Sequence, residues 1–183
     1  EYAIGTSLQK LRRELREALS TSYVDIDAVN CQPTMLWDML KSDRYPHLRE
    51  YVSNPKKMRQ KVQDTYGVTK DAAKHIFTSC MFSEDAHEDR LRRWKRTHGI
   101  EATSLDAELV GYIKNMYDAR GEILKKLNGW RERAKKDKDA NVFAVYMQTM
   151  ECDMLKQLRA MLSVNVGCLI HDGFLAEKTD VDV

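Results

Sequence analysis

The sequence predicts an α+β fold, with a small antiparallel sheet and a larger set of packed helices. Three short segments have the apolar pattern of strands. One runs from Tyr23 through Asp27, and two near the C-terminus meet at His171-Asp172-Gly173 as in a hairpin tip. About six or seven other segments repeat apolar residues at intervals of three and four, which is typical of amphipathic helices. We therefore expect helices to pack on one side of the sheet.

The composition is that of an ordinary soluble globular protein. Of the 183 residues, 43% are hydrophobic and 32% are charged, which is enough for one domain with a core or for one lobe of something larger. The apolar runs are too short for a transmembrane helix and the N-terminus lacks a signal-peptide pattern, so we expect an intracellular protein with no membrane partner. The four cysteines lack CxxC spacing, which argues against a zinc site or a disulfide framework.

The first strand carries two carboxylates on one face. Side chains alternate along a strand, so Asp25 and Asp27 share a face while Val24 and Ile26 point the other way, into a core. If this strand pairs with the C-terminal hairpin, Asp27 and Asp172 face each other. Two aspartates brought together in this way suit divalent cations such as Mg²⁺, which prefer oxygen ligands.

The helices are bounded by residues that start or end helices. Tyr45-Pro46 breaks one helix, Asn54-Pro55 reads as an N-cap followed by proline at the first helical position, and Gly67 ends the helix that follows. The predicted helices cover Ser7–Leu19, a segment with Met35, Leu36, Met39 and Leu40 as its buried stripe, Leu48–Val52, Pro55–Tyr66, a helix after Thr69, Thr103–Leu127 and Asn141–Leu162. The last of these carries Val142, Val145, Met150, Met154, Leu158 and Met161 toward the core.

The helix after Thr69 separates lysines from apolar residues. Lys70, Lys74, Thr78 and Phe82 follow one another at intervals of four and line one face, and Thr69 is a plausible N-cap. The opposite face carries Ala73, Ile76, Phe77 and Cys80. Two lysines on the opening turns of a helix suit a polyphosphate, because cations and free N–H groups converge there. The alternative is an ordinary solvated lysine face.

Positive charge is distributed unevenly although the formal net charge is only +2. Basic clusters occupy residues 10–16, 56–61, 90–96 and 131–138. Any one of them is typical of a solvated helix face, but together with Trp94 and Trp130 they also suit a nucleic-acid-binding module.

The order and spacing of these features resemble the family-A-like DNA polymerases, and most closely their divergent forms in large DNA viruses and mobile elements. The segments SLQKLRRELR (7–16) and DIDAVNCQP (25–33) are similar to the lead-in and motif A of that group. The segment MQTMECDMLK (147–156) is similar to the helix before motif C, and His171-Asp172 matches the His-Asp of motif C. Lys70, Lys74 and Phe82-Ser83 fall where motif B has Arg, Lys and Tyr-Gly.

The resemblance implies a palm-like sheet and a fingers-like helical subdomain. Residues 1–44 would form the N-terminal palm with motif A, residues 45–100 the fingers, and residues 101–183 the C-terminal palm with the motif C hairpin. It also implies a template-directed DNA polymerase that adds dNTPs to the 3′-hydroxyl of a DNA primer-template with two Mg²⁺ ions, with other replication domains or proteins as further partners. The compartment would be the cytoplasm, the nucleus or a virus factory.

The same resemblance assigns roles to individual residues. Asp27 and Asp172 would be the metal ligands, and Lys74 and Lys70 would contact the triphosphate. The remaining substrate contacts would be Phe82 near the nascent base pair, Gln148 on the minor-groove side of the DNA, His171 near the primer terminus and Gln32 beside the sugar.

The chain departs from the family pattern at five positions. Lys70 replaces an arginine and loses its bidentate grip on phosphate. Phe82-Ser83 replaces Tyr-Gly, Gly173 replaces a glutamate, and Gln32 stands where the family has Glu or His, the position associated with rejection of a ribose 2′-hydroxyl. Three alternatives stay open: a primase or RNA polymerase using rNTPs, a palm-derived nucleic-acid-binding module that has lost catalysis, and a helical domain with incidental aspartates.

Overall fold

The computed structural model describes residues 14, 15, 18, 21–83, 87–101, 106–134, 138–161, 166–170 and 173–178. Within them the chain forms eight helices and three strands, so the predicted α+β class is confirmed. The elements in order are β1 (Tyr23–Asp27), α1 (Cys31–Leu40), α2 (Pro46–Ser53), α3 (Pro55–Tyr66), α4 (Lys70–Ser79) with a 3₁₀ turn at Cys80–Phe82, α5 (His87–Thr97), α6 (Ala107–Lys126), α7 (Trp130–Ala134), α8 (Asp139–Met161), β2 (Val166–Ile170) and β3 (Gly173–Glu177).

The chain divides into two compact units. Residues 32–147 form a helical unit, and residues 1–31 with 148–183 form a strand unit that contains the sheet. The division into parts at residues 1–44, 45–100 and 101–183 stays a prediction.

Helix boundaries in the helical unit follow local chemistry, as the sequence predicts. Pro55 opens α3, and Gly67 ends it with a left-handed φ of 62°. Thr69 caps α4, since its hydroxyl accepts a hydrogen bond from the Ala72 N–H at 3.2 Å. Asp106 caps α6 in the same way through the N–H groups of the first turn.

Stacked aromatic rings fill the middle of the helical unit. Tyr51 of α2 lies 4.4 Å from Phe77 of α4 with nearly parallel rings, and Tyr112 of α6 packs against both. The Tyr112 hydroxyl donates to the Phe77 carbonyl at 3.1 Å, and Arg59 donates to the Tyr51 hydroxyl. Burial raises the pKa of both tyrosines, so both phenols stay protonated. Three helices are therefore joined through fully buried rings.

Trp94 belongs to this packing. Its side chain is 2% exposed and its Nε1 donates to the Ala72 carbonyl at 3.0 Å. The prediction that Trp94 contributes to a nucleic-acid-binding surface was therefore wrong, because a buried ring cannot stack on a base.

The sheet has the order β1-β3-β2, with both pairs antiparallel. The hairpin predicted around residues 171–173 is confirmed, and so is the pairing of the first strand with it. Along β1, Asp27 is in register with Gly173 and Tyr23 with Glu177. The register of β2 with β3 shifts between Val166 and Cys168, which is a β-bulge at the position of a glycine.

The apolar stripe of α8 is only partly buried. Val142, Met147 and Leu155 are enclosed, whereas Leu158 is 37% and Met161 80% exposed. The prediction that the last two face the core was wrong, because periodicity identifies the apolar face of a helix but not how far along the helix its neighbours extend.

The predicted helix at Ser7–Leu19 lies mostly outside the described residues. Within it, only positions 14, 15 and 18 are described, and these three are helical. None of the helices in the described ranges has a stretch both long and apolar enough to cross a lipid bilayer.

Candidate active site

The end of β1 brings a carboxylate against the hairpin. Asp27 is the last residue of the strand, its side chain is exposed, and its cross-strand partner is Gly173. A methyl group in place of a Gly173 hydrogen would lie 2.5 Å from Asp27 Oδ1 and would collide with the Ile26 carbonyl oxygen. Glycine is therefore required at this position, and it lets the main chain of the hairpin approach the Asp27 carboxylate closely.

Two of the predicted site residues, His171 and Asp172, lie outside the described residues. They separate the end of β2 at Ile170 from the start of β3 at Gly173. The side chain of Asp25 is also outside the described part of the structure, and its backbone pairs with Leu175. Among the residues that the structure describes, no three or more His, Cys, Asp or Glu side chains gather as a metal site.

The lysine face predicted on α4 is confirmed. Lys70 occupies the first position of the helix and Lys74 lies one turn later, and both are exposed. The opposite face, with Ala73, Ile76 and Phe77, has no exposed surface. Burial of the apolar face fixes which way the lysines point, so both ammonium groups lie on the same solvent-facing side of the first two turns.

Phe82 sits in the 3₁₀ turn that ends α4. It is half-buried, and its ring lies 6.0 Å from that of Phe143 on α8. Cys80 in the same turn is buried, which raises the pKa of its thiol to about 12 and keeps it protonated and unreactive.

A buried arginine that the sequence interpretation missed holds this turn. Arg120 of α6 is 5% exposed, and its guanidinium donates to the Met81 carbonyl at 3.3 Å and to the Ser83 carbonyl at 2.5 Å. A cation is favourable at these carbonyls because they end the α4 segment. The available signal was a charged residue on the apolar stripe of α6, between Met116 and Ile123.

The two glutamines of the predicted site occupy helices. Gln32 is the second residue of α1 and is half-buried, and Gln148 of α8 is exposed. Asp27 and Gln148 belong to the strand unit, whereas Gln32, Lys70 and Phe82 belong to the helical unit. Each unit thus holds its own part of the predicted set.

Comparisons with protein-family models, with curated proteins and with solved structures gave no match for this chain.

Proposed function

We propose that this chain is the palm-and-fingers core of a template-directed DNA polymerase that uses two Mg²⁺ ions. The observation that carries the proposal is the register of Asp27 with Gly173. Gly173 follows Asp172 directly in the sequence. Asp172, the second aspartate that the motif resemblance selects, is therefore the sequence neighbour of the residue that pairs with Asp27.

The residues present fit a pair of hard cations. Asp27 offers an exposed carboxylate at the end of a strand, and the missing side chain at Gly173 lets the backbone of the hairpin lie close to Asp27 Oδ1. Asp27 and Asp172 would supply the oxygen ligands that Mg²⁺ prefers. When bound, the two ions lower the pKa of the attacking 3′-hydroxyl and stabilise the leaving pyrophosphate.

The protein groups supply position and charge, which is most of what phosphoryl transfer requires. In this proposal Lys70 and Lys74 neutralise the negative charge of the incoming triphosphate from the exposed face of α4. Phe82 lies beside the nascent base pair, and Arg120 holds the carbonyls of its two neighbours, Met81 and Ser83. Gln148 and His171 contact the primer-template, and Gln32 contacts the sugar of the incoming nucleotide.

Primer extension tests the proposal. A labelled DNA primer-template is incubated with Mg²⁺ and four dNTPs, using the wild-type chain and the variants Asp27→Asn and Asp172→Asn. Both substitutions keep side-chain volume and remove the charge, so extension should fall at least about a hundredfold, the range found when a catalytic electrostatic contact is lost. The matched control is Asp38→Asn, an exposed aspartate that pairs with Lys41 just after the end of the same helix.

The outcomes separate the remaining functions. Extension that is unchanged in both variants, or absent from the wild-type chain, overturns the proposal. Wild-type DNA binding without extension would leave the nucleic-acid-binding module. Replacing dNTPs with rNTPs in the same assay tests Gln32: preferential rNTP incorporation would identify a primase or RNA polymerase instead.

A further inference from the structure

The segment from Lys125 to Lys138 is strongly basic. It contains seven Lys or Arg and two Asp or Glu, whereas the formal net charge of all 183 residues is only +2. Residues 135–137 of the segment lie outside the described part of the structure. The described cations Lys125, Lys126, Arg131, Arg133 and Lys138 are all exposed. Like charges in one short segment repel one another and attract an anionic partner.

Trp130 lies within this basic segment, between Lys126 and Arg131. Trp130 opens α7 after Gly129, whose φ of 75° turns the chain between α6 and α7. The indole is half-buried, and its ring is perpendicular to that of Tyr146 at 4.9 Å. The Tyr146 hydroxyl in turn donates to Met39 Sδ at 3.3 Å. The indole is thus fixed in orientation while part of its surface stays in contact with solvent.

A guanidinium lies over the same ring. The Arg133 Cζ is 4.5 Å from the centroid of the Trp130 ring, which is cation–π distance. Within the described residues neither Arg133 nor Lys125 makes a salt bridge, whereas Arg131 pairs with Asp139 at the start of α8. The Arg131–Asp139 pair links α7 to the first residue of α8, and Lys126 pairs with Glu122 on α6.

From these contacts we infer that Trp130, Arg133 and Lys125 form a binding surface for single-stranded nucleic acid. Single strands expose the faces of their bases, and a fixed indole with an arginine stacked on it is the platform on which such a base stacks. The surrounding cations would contact the phosphates, whose binding releases counterions. An acidic protein would bind the cations but would not require the indole ring. A membrane surface is also excluded, because α7 is too short to lie in it. This surface goes beyond the proposed polymerase function and requires no metal or nucleotide.

Binding of a fluorescently labelled oligodeoxythymidine, followed by anisotropy without Mg²⁺ or dNTPs, tests the inference. Trp130→Ala should weaken binding by at least about 5-fold, the effect of losing one stacked base. Trp130→Phe keeps a ring and should retain most of the affinity. The double variant Lys125→Gln/Arg133→Gln should lower the slope of log affinity against log salt by about 1.4, or about 0.7 per phosphate contact.

A charge-matched control is Lys41→Gln/Arg49→Gln, which removes two exposed cations that pair with Asp38 and Asp43. It should leave both affinity and salt slope unchanged. Thermal melting identifies any variant that fails to fold; if Trp130→Ala unfolds, Trp130→Phe and the double variant decide.

Three results would overturn the inference. They are an absence of binding by the wild-type chain, a folded Trp130→Ala variant that binds as well as wild type, and a control that loses as much as the double variant. Competition by polyglutamate that equals competition by unlabelled oligonucleotide would instead favour an acidic protein partner. A wild-type chain that fails in primer extension but passes this test loses only the polymerase proposal.

Discussion

In the helical unit of residues 32–147, the rings of Tyr51, Phe77 and Tyr112 pack within 5 Å of one another and none of them reaches solvent. In the strand unit, the described residues form the C-terminal part of α8 and a sheet of three five-residue strands joined by main-chain hydrogen bonds, with the exposed Asp27 at one end. Side-chain packing stabilises the first unit, and backbone registry positions the chemistry of the second. The two units should therefore fail for different reasons when they are altered.

Removing one ring from the helical core should have the largest effect. Phe77→Ala deletes a side chain with no exposed surface, and we expect it to lower the free energy of unfolding by about 3–5 kcal/mol. Urea denaturation measures the change. The matched control is Leu158→Ala in the strand unit, where the side chain is 37% exposed and the loss should stay below about 1 kcal/mol. Equal losses would contradict the contrast between the units.

Arg120 stabilises the helical unit through backbone carbonyls. Arg120→Met keeps most of the apolar stem but leaves the Met81 and Ser83 carbonyls without this donor, so stability should fall by about 1.5–3 kcal/mol. The control Arg44→Met removes an exposed arginine whose ion pair with Glu122 is 3.4 Å long, and it should cost less than about 1 kcal/mol. A neutral Arg120→Met variant would show that the turn keeps its shape without the guanidinium.

In the strand unit, a methyl group added at a glycine should lower stability. Gly173→Ala forces a methyl group against Asp27 and the Ile26 carbonyl, and we expect a loss of about 1–3 kcal/mol with faster amide exchange along β1 and β3. The same change at Gly121 in α6 meets no atom within 4 Å and should stabilise the chain by about 0.5–1 kcal/mol. Tolerance of Gly173→Ala without altered exchange would argue against the observed register.

The smallest expected effect is a pH dependence in the helical unit. Partial burial lowers the pKa of His75, and the nearby Arg90 and His98 lower it further. The folded chain therefore binds this proton less readily than the unfolded chain. The contribution of neutral His75 to the free energy of unfolding is fully present above the unfolded pKa of about 6.5. It is lost as the pH falls through the lowered pKa of the folded chain. His75→Gln should flatten the drop in melting temperature between about pH 7.5 and pH 5.5. An identical drop in both proteins would rule out this contribution.

Local features of the fold could be predicted from the sequence. The helix starts at Pro55 and after Thr69 depend on proline and a hydroxyl next to the first turn, and both were confirmed. The C-terminal hairpin and its pairing with the strand that ends at Asp27 were confirmed as well. For the helix starts and the hairpin the information lies within a few residues along the chain, whereas the pairing of the first strand with the hairpin joins segments that are far apart in sequence.

Features that depend on distant neighbours could not be predicted. Trp94 looked like a surface aromatic because charged residues surround it in sequence, yet its indole donates to a carbonyl of another helix. Met161 continues an apolar stripe but is 80% exposed. In the sequence Arg120 looks like an ordinary surface charge, because its carbonyl acceptor lies on another segment. For Asp172 and His171 the site assignment stays a prediction.

The position of β3 in the middle of the sheet determines when the sheet can form during synthesis. β1 is made before the helices of the helical unit, but its hydrogen-bonding partner β3 is made after them. The helical unit lies between them in sequence and has short-range contacts that can form earlier. At ordinary elongation speeds of about 5–20 residues per second, synthesis from β1 to β3 takes about 7–30 seconds, during which β1 lacks its partner strand. The carboxylate end of the sheet would therefore be assembled last, after the helices that accompany it.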